Sequence, residues 1–274
     1  MAITRRSVAS KIRRTLSRNF IPSARAFTVY DDDVYITSYP KSGNTWVRFL
    51  VANMVWRAGD TDFGNINLRV PDIYSAPDRV MTRFPRPRYF KSHEYFDPRY
   101  PTTLYIVRDP RSICTSYYHY RLHRQWLDPT TNLYDFTQQW VRGQIDSYGN
   151  WSDNVLSWIR MRRDDPRFCL IRYEDLKNQQ AASLRRIAAF LGLDLDETEL
   201  EAVAKASSFE SMRKSEMLTG GRFRDNLGSA RGSFFVRSGK VDGWRTELDP
   251  SSRDLIEAHF GETLLELGYT LDTP

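Results

Sequence analysis

The chain has 274 residues, 41% of them hydrophobic and 27% charged, with a formal net charge of +6 and a pI near 9.3. That length can bury roughly 70–75% of the unfolded surface in one core, and the composition is that of a soluble globular protein. The positive balance fits a nucleic acid, an anionic membrane or a multiply anionic small ligand, without choosing among them. No run of 18 apolar residues occurs, which excludes a membrane-spanning helix. The two cysteines, Cys114 and Cys169, do not make a disulfide scaffold, and His93, His119, His123 and His259 form no H-E-x-x-H pattern. No metal is expected, and a reducing, cytoplasmic compartment fits.

Residues 1–27 carry Arg5, Arg6, Lys11, Arg13, Arg14, Arg18 and Arg25 and no acid. Val8, Ile12 and Leu16 recur every four residues, with Phe20 next, a narrow apolar stripe on a basic helix. The segment lacks the apolar core of a secretory signal. Residues 5–20 could lie on an anionic bilayer, the inner face of a membrane, as a peripheral contact. A loose basic arm, or a helix docked on its own domain, is the alternative. Residues 1–30 are taken as this arm and 31–274 as one domain.

Residues 34–57 organise the rest. Val34-Tyr35-Ile36-Thr37 reads as a strand. A tight polar loop with Pro40 and Gly43 follows, then a helix with Phe49, Leu50, Asn53 and Met54 at spacings of three and four. A strand, a short loop and a helix N-terminus hold a phosphate: free N–H groups point outward and the helix dipole favours an anion. Gly43 permits a positive φ or a close approach. Lys41 adds a charge, and Ser42 and Thr45 add hydroxyls. The loop is not a Walker A motif, in which the lysine follows the glycine.

Residues 58–88, with Gly59, Gly64, Pro71, Pro77, Pro85 and Pro87, predict a long surface excursion with short turns. Arg88 to Glu94 is a short strand with a polar end, and in extended geometry Lys91 and His93 share a face. A base beside a cation there suits proton abstraction next to an anionic leaving group. Thr103 to Val107 reads as a buried parallel strand. Asp109 then caps a helix whose first turn holds Pro110. Arg108 could grip a phosphate bidentately, with Ser116 adding a hydroxyl. Two helices follow over 133–163, broken at Tyr148-Gly149-Asn150. Phe168 to Tyr173 is another strand, leading to a helix over about 178–191 closed by Gly192. Asp196 to Ala206 and Ser251 to Leu267 read as further helices. Residues 213–240, with five glycines and seven basic residues against two acids, predict a positively charged lid or loop.

Tyr39-Pro40-Lys41-Ser42-Gly43-Asn44-Thr45-Trp46 resembles the 5′-phosphosulfate loop of cytosolic-type sulfotransferases, Y-P-K-S-G-T-T-W. These enzymes use 3′-phosphoadenosine 5′-phosphosulfate (PAPS). Further elements resemble the family in order. Lys91-Ser92-His93 matches K-[TS]-H, whose histidine is the general base. Arg108 and Ser116 keep the spacing of the 3′-phosphate motif, in which His119 is not the base. Tyr173-Glu174-Asp175-Leu176 looks like Y-E-D-[LM], and Ser207 and Phe209 match positions next to the adenine. Arg237-Ser238-Gly239 with Trp244 resembles R-K-G-x-x-G-D-W, with Ser238 in place of lysine and Asp242-Gly243 reversed.

The resemblance implies a short, bacterial-like member with one α/β domain, a central parallel sheet flanked by helices, and a P-loop-like phosphosulfate-binding loop. It implies sulfuryl transfer from PAPS to a hydroxyl of a small or lipid-like acceptor, with no metal. His93, Lys41, Lys91 and Ser116 would be catalytic. Lys41, Ser42, Gly43, Asn44, Thr45, Trp46, Arg108, Ser116, Tyr173, Ser207, Phe209, Arg237, Ser238 and Gly239 would bind the nucleotide. Lys41 would meet the bridging oxygen, Thr45 the 5′-phosphate, Trp46 the adenine face and Tyr173 its edge. Glu174 and Asp175 would brace the site. The family's dimer segment is not evident near Trp244, which leaves the oligomeric state open. The rival readings are a phosphoryl-transfer enzyme using ATP, and a basic nucleic-acid-binding protein, whose signatures are absent.

Overall fold

The computed structural model describes residues 26–219, 239 and 241–272. Four parallel strands form the centre: β1 (Val34–Ser38), β2 (Tyr89–Ser92), β3 (Thr102–Val107) and β4 (Phe168–Arg172). Their order across the sheet is β2-β1-β3-β4. The all-parallel sheet explains the strand sequences, because helices cover both faces and both side-chain sets must be apolar.

The two faces differ in kind. Val34 and Ile36 of β1, with Leu104 and Ile106 of β3, pack into an aliphatic cluster. Its helical side is α1 (Asn44–Val55), through Val47, Leu50 and Val51. On the other face, Tyr35, Phe90 and Tyr105 meet Trp140, Trp151 and Trp158, all with essentially no exposure. These tryptophans sit on α5 (Leu133–Val141) and α6 (Trp151–Arg162), as their spacing predicts. Each such ring buries about 150–250 Å².

The excursion over 58–88 differs from its expected surface course. It forms two short helices, α2 (Ile66–Arg69) and α3 (Asp78–Met81), and buries Phe63, Ile66, Val70, Ile73 and Met81 in the core. Single apolar residues plug the core one at a time, so no period announces them. The segment also runs along the edge of β2: Lys91 N–H donates to Pro71 O at 2.8 Å and Ile73 N–H to Lys91 O at 3.1 Å. That placement carries Asp72 to the site.

α4 (Pro110–His123) begins as expected, with Asp109 accepting from the Arg111 N–H. Tyr173 does not end β4 but opens α7 (Tyr173–Asn178), which is separate from α8 (Gln180–Phe190). α9 (Glu197–Ala206) carries a full capping box between Asp196 and Glu199. α10 (Phe209–Thr219), α11 (Trp244–Glu247) and α12 (Pro250–Glu266) complete the described chain. Cys114 and Cys169 are free and buried. Burial pushes the Cys114 thiol up to about 12, against a smaller opposing hydrogen bond with Thr137, so it stays an unreactive thiol.

Three expectations fall outside the described residues: the basic stripe over 5–20, the lid over most of 213–240, and the roles of Arg237 and Ser238. No described helix is long and apolar enough to cross a membrane.

Candidate active site

Strand register decides what meets at the carboxyl edge of the sheet, where ligands gather in parallel α/β folds. Thr37 pairs with Ser92 and Ser38 with Ile106, while Val107 pairs with Arg172. One residue further on, the chain therefore brings His93, the 39–43 loop, Arg108 and Tyr173 together. They line one cavity of about 450 Å³, with Lys41, Gly43, Asn44, Thr45, Trp46, Lys91, Ser116, Phe209 and Gly239.

The 39–43 loop is curled by two left-handed residues, Lys41 (φ 68°) and Gly43 (φ 94°). A left-handed lysine is a strained conformation of the kind found at ligand clamps. Gly43 is required twice over. Besides its φ, a Cβ there would stand 2.5 Å from Cδ2 of Tyr173. The first helical bond of α1 runs from Val47 N–H to Gly43 O, so the N–H groups of Asn44, Thr45 and Trp46 are not used inside the helix. Neither a side-chain cap nor a first-turn acid occupies that end. Ser42 Oγ is buried with no hydrogen-bond partner among the described residues. Unused backbone donors and a nearby lysine fit a phosphate-type anion.

Three of the expected contacts change character. Asn44 turns its side chain back into the sheet, donating to Ile36 O (3.0 Å) and Ser38 Oγ (3.2 Å). It ties the loop to β1, leaving its backbone for the cavity. Ser42 lies beneath the loop rather than on the cavity wall. Ser207 is also buried behind the wall. Its hydroxyl accepts from Asn53 (2.9 Å) and its carbonyl from the Trp46 indole N–H (2.9 Å), so it fixes Trp46 instead of facing the cavity.

His93 is held in one tautomer. Its Nδ1 lies 2.7 Å from the Ser38 carbonyl, and a carbonyl only accepts, so Nδ1 carries the proton. In the neutral ring the lone pair is then on Nε2, the form a general base needs. Asn154 donates to the His93 carbonyl at 3.2 Å. Lys91 Nζ is 2.9 Å from Asp72 Oδ2, with side chains 10% and 19% exposed. Burial opposes the charge on Asp72, but Lys91, with smaller contributions from His93 and Arg48, outweighs it and holds the carboxyl below its usual range.

At the other end, Arg108 stacks 4.3 Å over the Tyr173 ring and donates to Lys41 O at 3.2 Å. Lys177 stands 5.0 Å over the Trp46 ring, which meets Tyr173 edge-on. The Tyr173 hydroxyl reaches the Gly239 carbonyl at 3.4 Å. Glu174 braces this end from behind, accepting from Asp109 N–H (3.0 Å) and the Tyr269 hydroxyl (2.8 Å), and burial pushes its pKa up. His119 points elsewhere, to Glu247 at 3.1 Å.

Sequence reasoning missed Asp72, Arg124, Trp126, Tyr148 and Lys177, all on the cavity wall. Residues 58–96 and 213–236 offer rings that would suit an apolar acceptor; of those among the described residues, Tyr74 lines the cavity. Phe63, Tyr89 and Phe90 are core instead, while Phe84, Tyr95 and Phe96 lie off the cavity. Arg69, Arg79 and Arg83 are off it too. Phe223, Phe234, Phe235, Arg222, Arg224 and Arg231 lie outside the described residues.

The family model described as "Sulfotransferase domain" matches residues 31–268. The chain belongs to the sulfotransferase family. Sulfotransferase 1A1 of Bos taurus is 29% identical over 87% of this chain and 85% of its own length. Sulfotransferase 2B1 of Mus musculus is 29% identical over 86% and 72%. Among solved structures, mouse sulfotransferase SULT7A1 complexed with PAP superposes with a TM-score of 0.71 and 27% identity, covering 90% of this chain and 89% of that one. A retinol dehydratase complex, at 22% identity and a TM-score of 0.75 over 92% and 85%, shares the fold. As a family member, this enzyme moves a sulfuryl group from PAPS to a hydroxyl-bearing acceptor.

Proposed function

We propose that the 39–46 loop holds the 5′-phosphosulfate, that Arg108 and Ser116 hold the 3′-phosphate, and that Trp46, Tyr173 and Phe209 enclose the adenine. His93 takes the proton of the acceptor hydroxyl as its oxygen attacks sulfur in line. Lys91 and Lys41 answer the charge that grows on the transferring group and on the leaving phosphate. Arg237 and Ser238 would extend the 3′-phosphate contacts. The observation that carries this reading is the His93 tautomer: a base presented by the Ser38 carbonyl into the cavity that also holds Lys41 and Lys91. A thermal-shift comparison tests it. Adenosine 3′,5′-bisphosphate should stabilise the protein more than ATP with Mg²⁺ or a short oligonucleotide. Preference for ATP would favour phosphoryl transfer, which also wants metal-holding acids; the one carboxylate on the described wall, Asp72, is paired with Lys91.

The acceptor we infer is a hydroxylated small or lipid-like molecule with a flat or apolar body, because Tyr74, Tyr117, Tyr120, Trp126 and Tyr148 line the cavity. A mass-spectrometric screen of phenols, steroids, hydroxylated lipids and sugars with PAPS tests this; sulfation confined to sugars would refute it. Peripheral contact of residues 5–20 with the inner face of a membrane, in a cytoplasmic protein, is a separate proposal. Liposome flotation should need anionic lipid, fade with salt and drop without residues 1–25. Ser238 and Asp242-Gly243 depart from the family's R-K-G-x-x-G-D-W, and the missing lysine removes one cation from the 3′-phosphate contacts. On that reading Ser238→Lys tightens bisphosphate binding, and an unchanged affinity counts against it.

A further inference from the structure

One wall of the cavity is a single face of α4 and the turn after it. Ser116, Tyr120 and Arg124 are four residues apart, so they stack along one side of the helix. All three line the cavity, and Trp126 follows them. With a rise of about 1.5 Å per residue, Arg124 lies roughly 12 Å along the axis from Ser116. The Lys41 ammonium marks the middle of this ladder, 4.1 Å from the Tyr120 ring centroid. Arg124 therefore stands a full turn beyond the lysine of the phosphosulfate loop. Its guanidinium lies 4.6 Å over the Trp126 indole, with Arg121 at 5.8 Å. Trp126 is 51% exposed and meets Tyr120 edge-on at 5.9 Å. Tyr148, edge-on to the His93 ring at 5.5 Å, lines the same space.

Among the described residues, the charges lining this cavity are mostly positive. The described lining holds Lys41, Lys91, Arg108, Arg124 and Lys177 against Asp72, which is bound to Lys91. Lys41 and Arg108 serve the nucleotide, and Lys177 stands over Trp46 at its adenine end. The field is felt at His123, whose pKa is lowered by burial first, then by Arg124 and Lys41, with Glu216 of α10 opposing. An arginine held over an indole, at the far end of an aromatic wall, is a recognition geometry for a planar anion.

Resting on the sulfuryl-transfer reading above, we propose that Tyr120, Arg124 and Trp126 form an acceptor subsite for a carboxylate. The acceptor is then a hydroxylated ring compound whose acid group lies roughly one to two helix turns, about 5–11 Å, from the hydroxyl that is sulfated. Tyr120 and Trp126 flank the ring, and Arg124 takes the carboxylate.

The test uses the full-length enzyme with PAPS and a matched pair of acceptors, 3-(4-hydroxyphenyl)propionate and its amide. The acid should be preferred in kcat/KM by about 10–150-fold, the value of a charge-assisted hydrogen bond. Arg124→Gln should bring the acid-to-amide ratio close to one by raising KM for the acid, and Arg124→Lys should restore part of it. Equal use of acid and amide by the parent overturns the proposal. So does a fall of both acceptors together in Arg124→Gln, which marks a structural role. Binding of adenosine 3′,5′-bisphosphate, followed by calorimetry, separates the two levels. If the bisphosphate fails to bind the parent, the sulfotransfer reading itself falls. If it binds and neither ring is sulfated, or the acid is not preferred, the acidic-acceptor inference alone falls.

Discussion

At the end of the cavity that we assign to the nucleotide, Lys41 and Gly43 to Trp46 come from one short run of sequence, and backbone geometry shapes the wall as much as side chains do. At the end that we assign to the acceptor, Asp72, Lys91, His93, Tyr120, Arg124, Trp126 and Tyr148 arrive from separate segments, and pairings such as Lys91 with Asp72 and His93 with the Ser38 carbonyl set their positions. A nucleotide is the same in every turnover, so one rigid loop suffices. An acceptor site must suit one chemistry among many, so its residues come from segments free to vary. The contrast predicts that damage at one end should leave the other working.

The largest effect is expected at His93. His93→Ala should lower kcat by about 10²–10⁴-fold, the usual worth of a general base. Turnover equal to the parent's, measured with any acceptor found in the screen, would remove His93 from the chemistry. Next comes Arg108. Arg108→Ala should weaken adenosine 3′,5′-bisphosphate by about 1.5–3 kcal/mol and spare adenosine 5′-phosphate, which lacks the 3′-phosphate. Equal losses for both nucleotides in calorimetry would contradict the assignment.

Gly43→Ala sharpens the comparison from the backbone side. It forces a Cβ against the Tyr173 ring at φ 94°, a strain of about 1–3 kcal/mol. Bisphosphate affinity and Tm should both fall, and a variant with both unchanged would show that the loop tolerates a side chain. Asp72→Asn should have the smallest effect. It frees Lys91 from its partner, so kcat should fall several-fold while bisphosphate affinity holds. Because the Asp72 pKa is depressed from 3.8, the stabilisation is complete above that value and is lost only as pH falls through the lower, folded one. Parent and variant should therefore differ in Tm by a constant amount down to about pH 5 and converge in stronger acid. Convergence already at neutral pH would mean the carboxylate is not held ionised by Lys91.

The same contrast explains what could be read from the sequence. Strands such as Thr102–Val107 stand out because a parallel sheet buried on both faces needs a continuous apolar run. The loop from Lys41 to Trp46 is legible because its cavity-lining residues are neighbours in the sequence. Asp72 was hidden in a proline-rich stretch, and its partner Lys91 lies 19 positions away. Arg124 and Trp126 read as an ordinary helix end, since nothing local says that α4 turns that face inward. Residue type also fails to give direction. Asn44 has the short polar side chain the loop calls for, yet it points into the sheet. The Tyr39 hydroxyl links the loop to Trp140 and Gly149, across 101 and 110 positions of sequence, and only a folded chain shows that bond.

The division of labour is tested most directly by one calorimetric series: adenosine 3′,5′-bisphosphate titrated into the parent, Arg108→Ala and His93→Ala. The two ends being separately built, Arg108→Ala should lose about 10–150-fold in affinity while His93→Ala keeps the parent's Kd. A His93→Ala variant that loses as much affinity as Arg108→Ala, or an Arg108→Ala variant that loses none, would contradict the account.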